Sequence, residues 1–562
     1  MALLFLCVLG LAAAAHGQQD LITNGDFAKA DAQGVPEGWV WQTRDIGYVK
    51  THTEEGYVEI GVKEAGQTNF IQQIIKLPAD TRKVKLIASY RHADIVAGEK
   101  SYQKGQVQGR FIKEGKEIGA WISLANVTGS QAKWAQAAQT VTVAPGADAI
   151  MVRIALYGVK SGRLEVNAFH GQAISEAQVK EEAARLRPDK PFGEPVSEAR
   201  YNRMGRGINI NNWFCQPWNV VIDGRKGGFN AEHFRKYITR RDLDMVRGAG
   251  FDHIRLPIDP VFLMDLKTGA LKPELLPELD AAVKMILDAD LSVVIDLHPK
   301  TPPQRGDWHK MPELIENYVV WWGHFSKHLA GTDPERVFIE PMNEPGPQGF
   351  WAPAYQPLQD RLFHVIRANL PKHTLIAASG GWTGVDELLT ITDVHPDRNV
   401  IWTVHYYEPG LFTHQGASWM KSWYHAMQGV PWPLTAENLE EGLAAVKPGM
   451  PGSEEAKKVL RGNVARDRCS VQRMRDDIEK IAQWSKEHDR RVIIGECGVY
   501  MPYAPRESRL RYLRTLVTIL KENSLHWTQW DGIGTGYPIV TNPLDPPARE
   551  LDKQVVEAML GS

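Results

Sequence analysis

A (β/α)8 barrel preceded by an all-β jelly-roll sandwich is the architecture that this sequence of 562 residues predicts. Three observations predict it. The chain is as long as three to four average domains, and one barrel absorbs ~250 residues or more. Up to about Gln172, short runs alternate in polarity between turn residues, the pattern of half-buried antiparallel strands. From Gly205 onward, eight apolar strand-like runs alternate with amphipathic helical stretches. With 43% hydrophobic and 23% charged residues the chain has ordinary globular composition. Lys and Arg (65) nearly balance Asp and Glu (67), so the basic excess of a nucleic-acid binder is missing. Eighteen Trp residues suit a ligand with flat apolar faces and polar edges, such as a sugar ring.

Residues 1–17 (MALLFLCVLGLAAAAHG) are apolar, uncharged and too short to span a bilayer, and end in small residues. They read as a signal peptide, which makes the protein extracellular or periplasmic. The run lacks the usual Lys or Arg near its start, and Cys7 lacks the setting of a lipoprotein anchor. No other stretch is long and apolar enough to cross a membrane. Cys215, Cys469 and Cys497 remain, enough for one disulfide whose partners the sequence leaves open, and no Cys or His pair has structural-zinc spacing.

Residues 18–172 form the predicted sandwich, with strands such as Tyr57–Val62, Val84–Tyr90, Thr140–Val143 and Met151–Tyr157. Residues 173–203, a short charged helix pattern and then three prolines between Pro188 and Pro195, form the linker. Residues 204–562 form the barrel. Its strands are expected at Gly207–Ile210, His253–Leu256, Leu291–Leu297, Val337–Pro341, Thr374–Ala378, Val400–His405, Val492–Gly495 and His526–Trp530. The long gap after Tyr407, with Trp419, Trp423 and Trp432, reads as an excursion over the barrel mouth.

A barrel carries its active site at the C-terminal ends of its strands. The residues there are Asn209, Arg255, His298, Asn343, Glu344, His405, Tyr407, Glu496 and Trp530. One such residue is ordinary, whereas the set converging on one mouth is not. Glu344 and Glu496 each follow an apolar strand, where an unpaired charge is expensive. If strands four and seven hold them roughly 5 Å apart, they suit a retaining glycosidase: one attacks the anomeric carbon, and the other protonates the leaving oxygen and later activates water. The acid must keep its proton, and the neighbouring negative charge is expected to raise its pKa. Glu340, on the period-2 face of Met342 and Glu344, reads as a structural ion-pair partner, and Cys497 as a small hydrophobe under the site.

Ile254-Arg255-Leu256-Pro257, Asp296-Leu297-His298, Met342-Asn343-Glu344-Pro345, His405-Tyr406-Tyr407, Gly495-Glu496 and Trp530 together resemble glycoside hydrolase family 5. The resemblance implies Glu344 as acid/base and Glu496 as nucleophile, with Arg255 and Tyr407 contacting Glu496. Asn343 would bond the sugar 2-hydroxyl, His298 and His405 would line the cleaved subsite, and Trp530 would be its platform. It also implies a retaining mechanism with no metal or other cofactor. Trp213, Trp218, Trp308, Trp351, Trp382 and Trp419 are candidate sugar platforms in the loops.

Asn24-Gly25-Asp26-Phe27 followed by Pro36-Glu37-Gly38-Trp39 resembles the opening of carbohydrate-binding-module and galactose-binding-like jelly rolls. That resemblance makes Trp39, Trp41, Trp121 and Trp134 a candidate binding strip and Asp26 a candidate Ca2+ ligand, although a Trp placed directly after the turn, as Trp39 is, more often plugs the sandwich core. Asn126-Val127-Thr128 is a glycosylation acceptor. The leading function is a secreted retaining hydrolase of β-linked polysaccharide or oligosaccharide, foremost an endo-β-1,4-glucanase. A β-mannanase, a β-1,3-glucanase and a non-catalytic carbohydrate-binding protein remain alternatives. A metal-dependent hydrolase lacks a His-x-His pair. The sequence leaves the sugar, the cleavage mode and the oligomeric state open.

Overall fold

The computed structural model describes residues 20–561 except 44, 223, 301–307, 309 and 310. The expected signal peptide at 1–17 lies outside the described residues. The chain divides into two compact units between Arg185 and Leu186. No helix among the described residues is long and apolar enough to cross a membrane.

The first unit holds ten strands: β1 (Val40–Trp41), β2 (Gly47–His52), β3 (Tyr57–Val62), β4 (Asn69–Lys76), β5 (Thr81–Val96), β6 (Gly105–Lys113), β7 (Lys116–Val127), β8 (Gly129–Thr142), β9 (Ala149–Leu156) and β10 (Ser161–Ser175). They make two antiparallel five-stranded sheets, β1-β4-β9-β6-β7 and β2-β3-β10-β5-β8. Alternate residues of both sheets, among them Ile71, Val107, Ile154, Val58, Val84 and Leu164, share one core.

The Asn24-Gly25-Asp26-Phe27 motif serves this core. A Cβ on Gly25 would lie 1.9 Å from the Phe169 carbonyl oxygen, so no side chain fits there. Asn24 Nδ2 donates to the Lys29 and Glu37 carbonyls, which closes the turn. Trp39 is buried against Phe27 and Phe169. The four Trp therefore make no single strip. Trp39 plugs the core, Trp41 donates to Asn69 Oδ1, and Trp121 and Trp134 belong to different sheets, in β7 and β8. Asp26 is exposed, and the only group of three or more His, Cys, Asp or Glu spaced for a metal among the described residues lies in the second unit.

The second unit is a closed barrel of eight parallel strands. They are Arg206–Asn209, His253–Ile258, Ser292–Leu297, Val337–Glu340, Leu375–Ala377, Val400–Tyr406, Arg491–Cys497 and His526–Gln529, each close to its predicted position. These strands are apolar on both faces because both are covered. Val293, Ile295, Val404 and Ile494 pack with the helical shell. Val294, Phe338, Ile376, Ile401 and Ile493 fill the interior and pack with Val196, Tyr201 and Met204, which precede the first strand. Two rings expected at the mouth lie in the core: Trp213 donates to the Phe234 carbonyl, and Trp308 is fully buried. Trp432 of the excursion is buried too, whereas Trp419 is exposed. The three cysteines are free and buried.

Candidate active site

Inward-facing positions of successive strands build the site in layers. On the second strand, Ile254 and Leu256 pack outward, so Arg255 points in. On the third, Val294 points in, and the two-residue period carries Asp296 and His298 with it. On the sixth, Ile401 points in and so do Thr403, His405 and Tyr407.

The two glutamates reach the mouth through breaks in that alternation. The seventh strand carries irregular pairing around Gly495: Val404 opposes Ile494, but His405 already opposes Glu496. A Cβ on Gly495 would lie 2.2 Å from Thr403 Oγ1, so the bulge needs glycine. Without it Glu496 would share the outward face of Ile494. The fourth strand ends at Glu340, and Met342 turns to the outer core instead of sharing Glu340's face as its spacing predicts. Asn343 and Glu344 then both turn to the site, Glu344 at a φ of 31° that a side chain rarely adopts.

Arg255 organises the floor. Its Nε and Nη2 donate to the two Glu340 oxygens at 2.8 and 2.7 Å. Nη1 donates to Glu496 Oε1 at 2.8 Å and to Asn209 Oδ1 at 2.9 Å. Nη2 also reaches Asn343 Oδ1 at 2.8 Å and Asp296 Oδ2 at 3.1 Å. Burial alone would lower the guanidinium's pKa, but the surrounding carboxylates push it well above its usual value. Asn209 is fully buried, with its amide donating to the Gly495 and Gln529 carbonyls, so it braces Arg255 from below.

Above this floor, Tyr407 Oη donates to Glu496 Oε2 at 3.0 Å. His405 Nδ1 lies 2.9 Å from Glu344 Oε1 and 3.5 Å from Glu496 Oε2. One donor atom each from Glu344, His405 and Glu496 lie within 4.8 Å of one another. A cation bound there would have to displace hydrogen bonds already made by His405 and Tyr407. Burial pushes the Glu496 carboxyl up, against the opposing pull of His405 and Arg255. Burial also raises Glu344, but the hydrogen bond and charge of His405 outweigh it and hold this carboxyl below its usual value. This differs from the expectation of a raised Glu344, because His405, placed at the mouth by the sequence, lies in hydrogen-bond contact with Glu344, a pairing the sequence does not show. The Glu344 and Glu496 carboxyls, both beside His405, share their titration.

Trp530 is half-buried, and its ring stacks at 5.3 Å on His298, whose neutral form burial favours strongly. Asn343 Nδ2 lies 3.2 Å from His298 Nε2. The structure thus brings Arg255, His298, Asn343, Glu344, His405, Tyr407, Glu496 and Trp530 to one mouth, with Asn209 beneath. Cys497 turns away, its thiol facing the Thr528 carbonyl and pushed up in pKa by burial. Trp351 and Trp382 are about half exposed and meet edge to face at 6.2 Å. The loop of Trp382 is tied to the acid's loop, since Gly346 N donates to the Gly381 carbonyl and His405 N to the Thr383 carbonyl.

Sequence reasoning missed Asp296, whose signal was its place two residues before His298 on the same strand. It also missed His414, half-buried beside Tyr407 at 4.9 Å between ring centroids, for which the sequence carries no signal.

Residues 221–535 match the family model for cellulase, glycosyl hydrolase family 5. The chain belongs to glycosyl hydrolase family 5. It is a glycosyl hydrolase. Endoglucanase 3 of Fibrobacter succinogenes is 25% identical over 366 residues, which cover 62% of this chain and 52% of that protein. Endoglucanase C of Acetivibrio thermocellus is 24% identical over 352 residues, 61% of this chain and 96% of that protein. The chain therefore spans about half the length of the first relative and nearly all of the second. Among solved structures, Thermotoga maritima Cel5A in complex with cellobiose shares the barrel fold, at a TM-score of 0.50 and 22% identity, over 65% of this chain and 99% of that one.

Proposed function

We propose that this family 5 hydrolase is a secreted, retaining endo-β-1,4-glucanase. The observation that carries the mechanism is the approach of the two carboxylates, with donor atoms within 4.8 Å. Retaining enzymes hold their carboxyl groups about 5–5.5 Å apart, whereas inverting ones need roughly 6.5–9.5 Å to admit a water. Glu496 is the nucleophile because Arg255 and Tyr407 each give one of its oxygens a donor, which aims the anion and keeps it ionised. Glu344 is the acid/base: its Oε1 lies 2.9 Å from His405 Nδ1, through which a proton is held and returned.

Glu496 attacks the anomeric carbon while Glu344 gives its proton to the departing oxygen. A water entering from the vacated side then gives its proton to Glu344 and attacks the same carbon, which frees Glu496. Asn343, held by Arg255 and His298, faces the 2-hydroxyl, and Trp530 lies under the ring. His298 and His405 line this subsite. The exposed Trp351 and Trp382, on loops stitched to the acid, supply platforms for further residues of a chain substrate. The two relatives named endoglucanase support a glucan chain as substrate.

Residues 1–17 act as the export signal in this reading, 18–172 as an accessory module, 173–203 as the linker and 204–562 as the catalytic domain. The module's candidate glycan surface is the outer face of β1-β4-β9-β6-β7. Trp121 stands there between the Arg110 and Arg153 guanidinium groups, beside a cross-strand row of Gln72, Arg153 and Gln108.

The test is Glu496→Ala, assayed on soluble β-1,4-glucan, β-1,3-glucan and β-mannan beside the wild type. Wild-type activity should be highest on β-1,4-glucan. The variant should lose turnover by at least about 10⁴-fold, with partial rescue by azide that fills the vacated space. A variant that keeps turnover would remove Glu496 from the nucleophile's role.

A further inference from the structure

Asp296 is a buried acid at the site floor that the mechanism leaves unused. Arg255 is surrounded by three carboxylates: Glu340 at 2.7 Å, Glu496 at 2.8 Å and Asp296 at 3.1 Å. All four side chains are at most 5% exposed. One guanidinium among three anions leaves at least one uncompensated buried negative charge, even with His405 charged at 3.5 Å from Glu496 Oε2, an expensive arrangement.

The hydrogen bonds single out which acid is neutral. Both Glu340 oxygens take donors from Arg255. Both Glu496 oxygens have donors, from Arg255 and Tyr407. Asp296 Oδ2 has His298 Nδ1 at 2.8 Å, but its Oδ1 is buried with no hydrogen-bond partner. A charged oxygen left bare in this way is penalised far more than a neutral one.

Nor does His298 supply a second cation. Asn343 Oδ1 accepts from Arg255, so the other end of that amide is the N–H donor facing His298 Nε2. Nε2 is therefore an acceptor, the ring is neutral, and its one proton sits on Nδ1 toward Asp296. Lys300, Glu496, Tyr318 and Cys215 are the remaining titratable groups that act on or feel Asp296. Of these only Lys300 is a cation, and its pull on Asp296 is the smallest of the charges named, well behind that of Arg255.

We propose that Asp296 is a positioning residue that stays protonated in the resting enzyme, so that only Glu340 and Glu496 share Arg255. Burial pushes this carboxyl well above the usual range, against the pull of Arg255. Loss of the proton at high pH adds a third anion to the guanidinium, loosens its hold on Glu496 and ends activity. The proposal rests on Glu496 as nucleophile only for that last consequence.

Asp296→Asn copies the neutral acid: its Oδ1 accepts from His298 beside the Arg255 guanidinium, and its amide nitrogen takes the place of the bare oxygen. Two measurements test it. First, the infrared C=O stretch of a protonated carboxyl group is expected in the wild type near neutral pH and is lost in D296N; this needs no turnover and is read whatever Glu496 does. Second, the basic limb of the kcat/KM profile should move about one pH unit upward in D296N, while Glu340→Gln, which strips an ionised partner from Arg255, should lower kcat/KM at least about tenfold more than D296N does. No carboxyl band lost on substitution, or a D296N profile with its basic limb in place, overturns the proposal.

Discussion

Tyr407→Phe tests the proposed nucleophile with the smallest possible change. The substitution deletes one hydroxyl, the donor that reaches Glu496 Oε2 at 3.0 Å, and leaves the ring beside His414. The Glu496 side chain is only 5% exposed, so water does not replace the lost donor. A hydrogen bond to a charged group contributes about 1.5–3 kcal/mol, which is about 1–2 pKa units at 1.36 kcal/mol each. The sign follows from which form is bonded. Tyr407 stabilises the carboxylate, so its removal raises the Glu496 pKa, and activity that needs the anion is lost at a higher pH. The acid limb of kcat/KM should therefore move upward by about 1–2 pH units. An aryl β-cellobioside with a good leaving group is the right substrate, because it needs little help from Glu344 and the acid limb then reports on Glu496 alone. An acid limb that stays in place, in a variant with unchanged Tm, refutes the assignment.

Glu344→Ala should cost about 10²–10⁴-fold on polysaccharide and much less on the same aryl glycoside, measured as kcat/KM on both; equal losses on the two remove Glu344 from the acid's role. His414, half-buried beside the Tyr407, Trp419 and Tyr537 rings and pulled down to about 4 by burial, is neutral in the folded protein where the unfolded chain is protonated. Stability should be full above about pH 6.5 and fall as the pH drops toward 4, by about 2 kcal/mol near pH 5 for this residue. Comparing the Tm of wild type and H414N between pH 7 and 5 measures this, and parallel curves would contradict it.

The barrel was legible in the sequence to within a few residues because its strands are buried on both faces. Runs such as Ser292–Leu297 and Val400–Tyr406 are mostly apolar with few polar interruptions, and the Gly-, Pro- and Asp-rich punctuation around them fixes their ends. The inward residues Arg255, His298, His405 and Tyr407 were legible for the same reason, since a period of two relates them to apolar neighbours. The sandwich motif around Asn24 and Trp39 was visible, but its meaning was not: a glycine pressed on Phe169 and a Trp in the core look the same in sequence as a sugar-binding opening. Trp213 and Trp308 were misplaced for a related reason, because a loop position says nothing about whether the chain folds back over it.

Chemistry-bearing residue types, the order of the strands and the mouth they share were determined by the sequence alone. Only the tertiary structure decided that Glu496 faces the mouth at all, because the period of its strand points it outward. A bulge that just one residue type admits, Gly495 against Thr403 on the neighbouring strand, reverses it. Likewise the charge state of the floor depends on three acids from three strands meeting one guanidinium. Such sums of fields and contacts belong to residues far apart in the chain, and no local pattern encodes them.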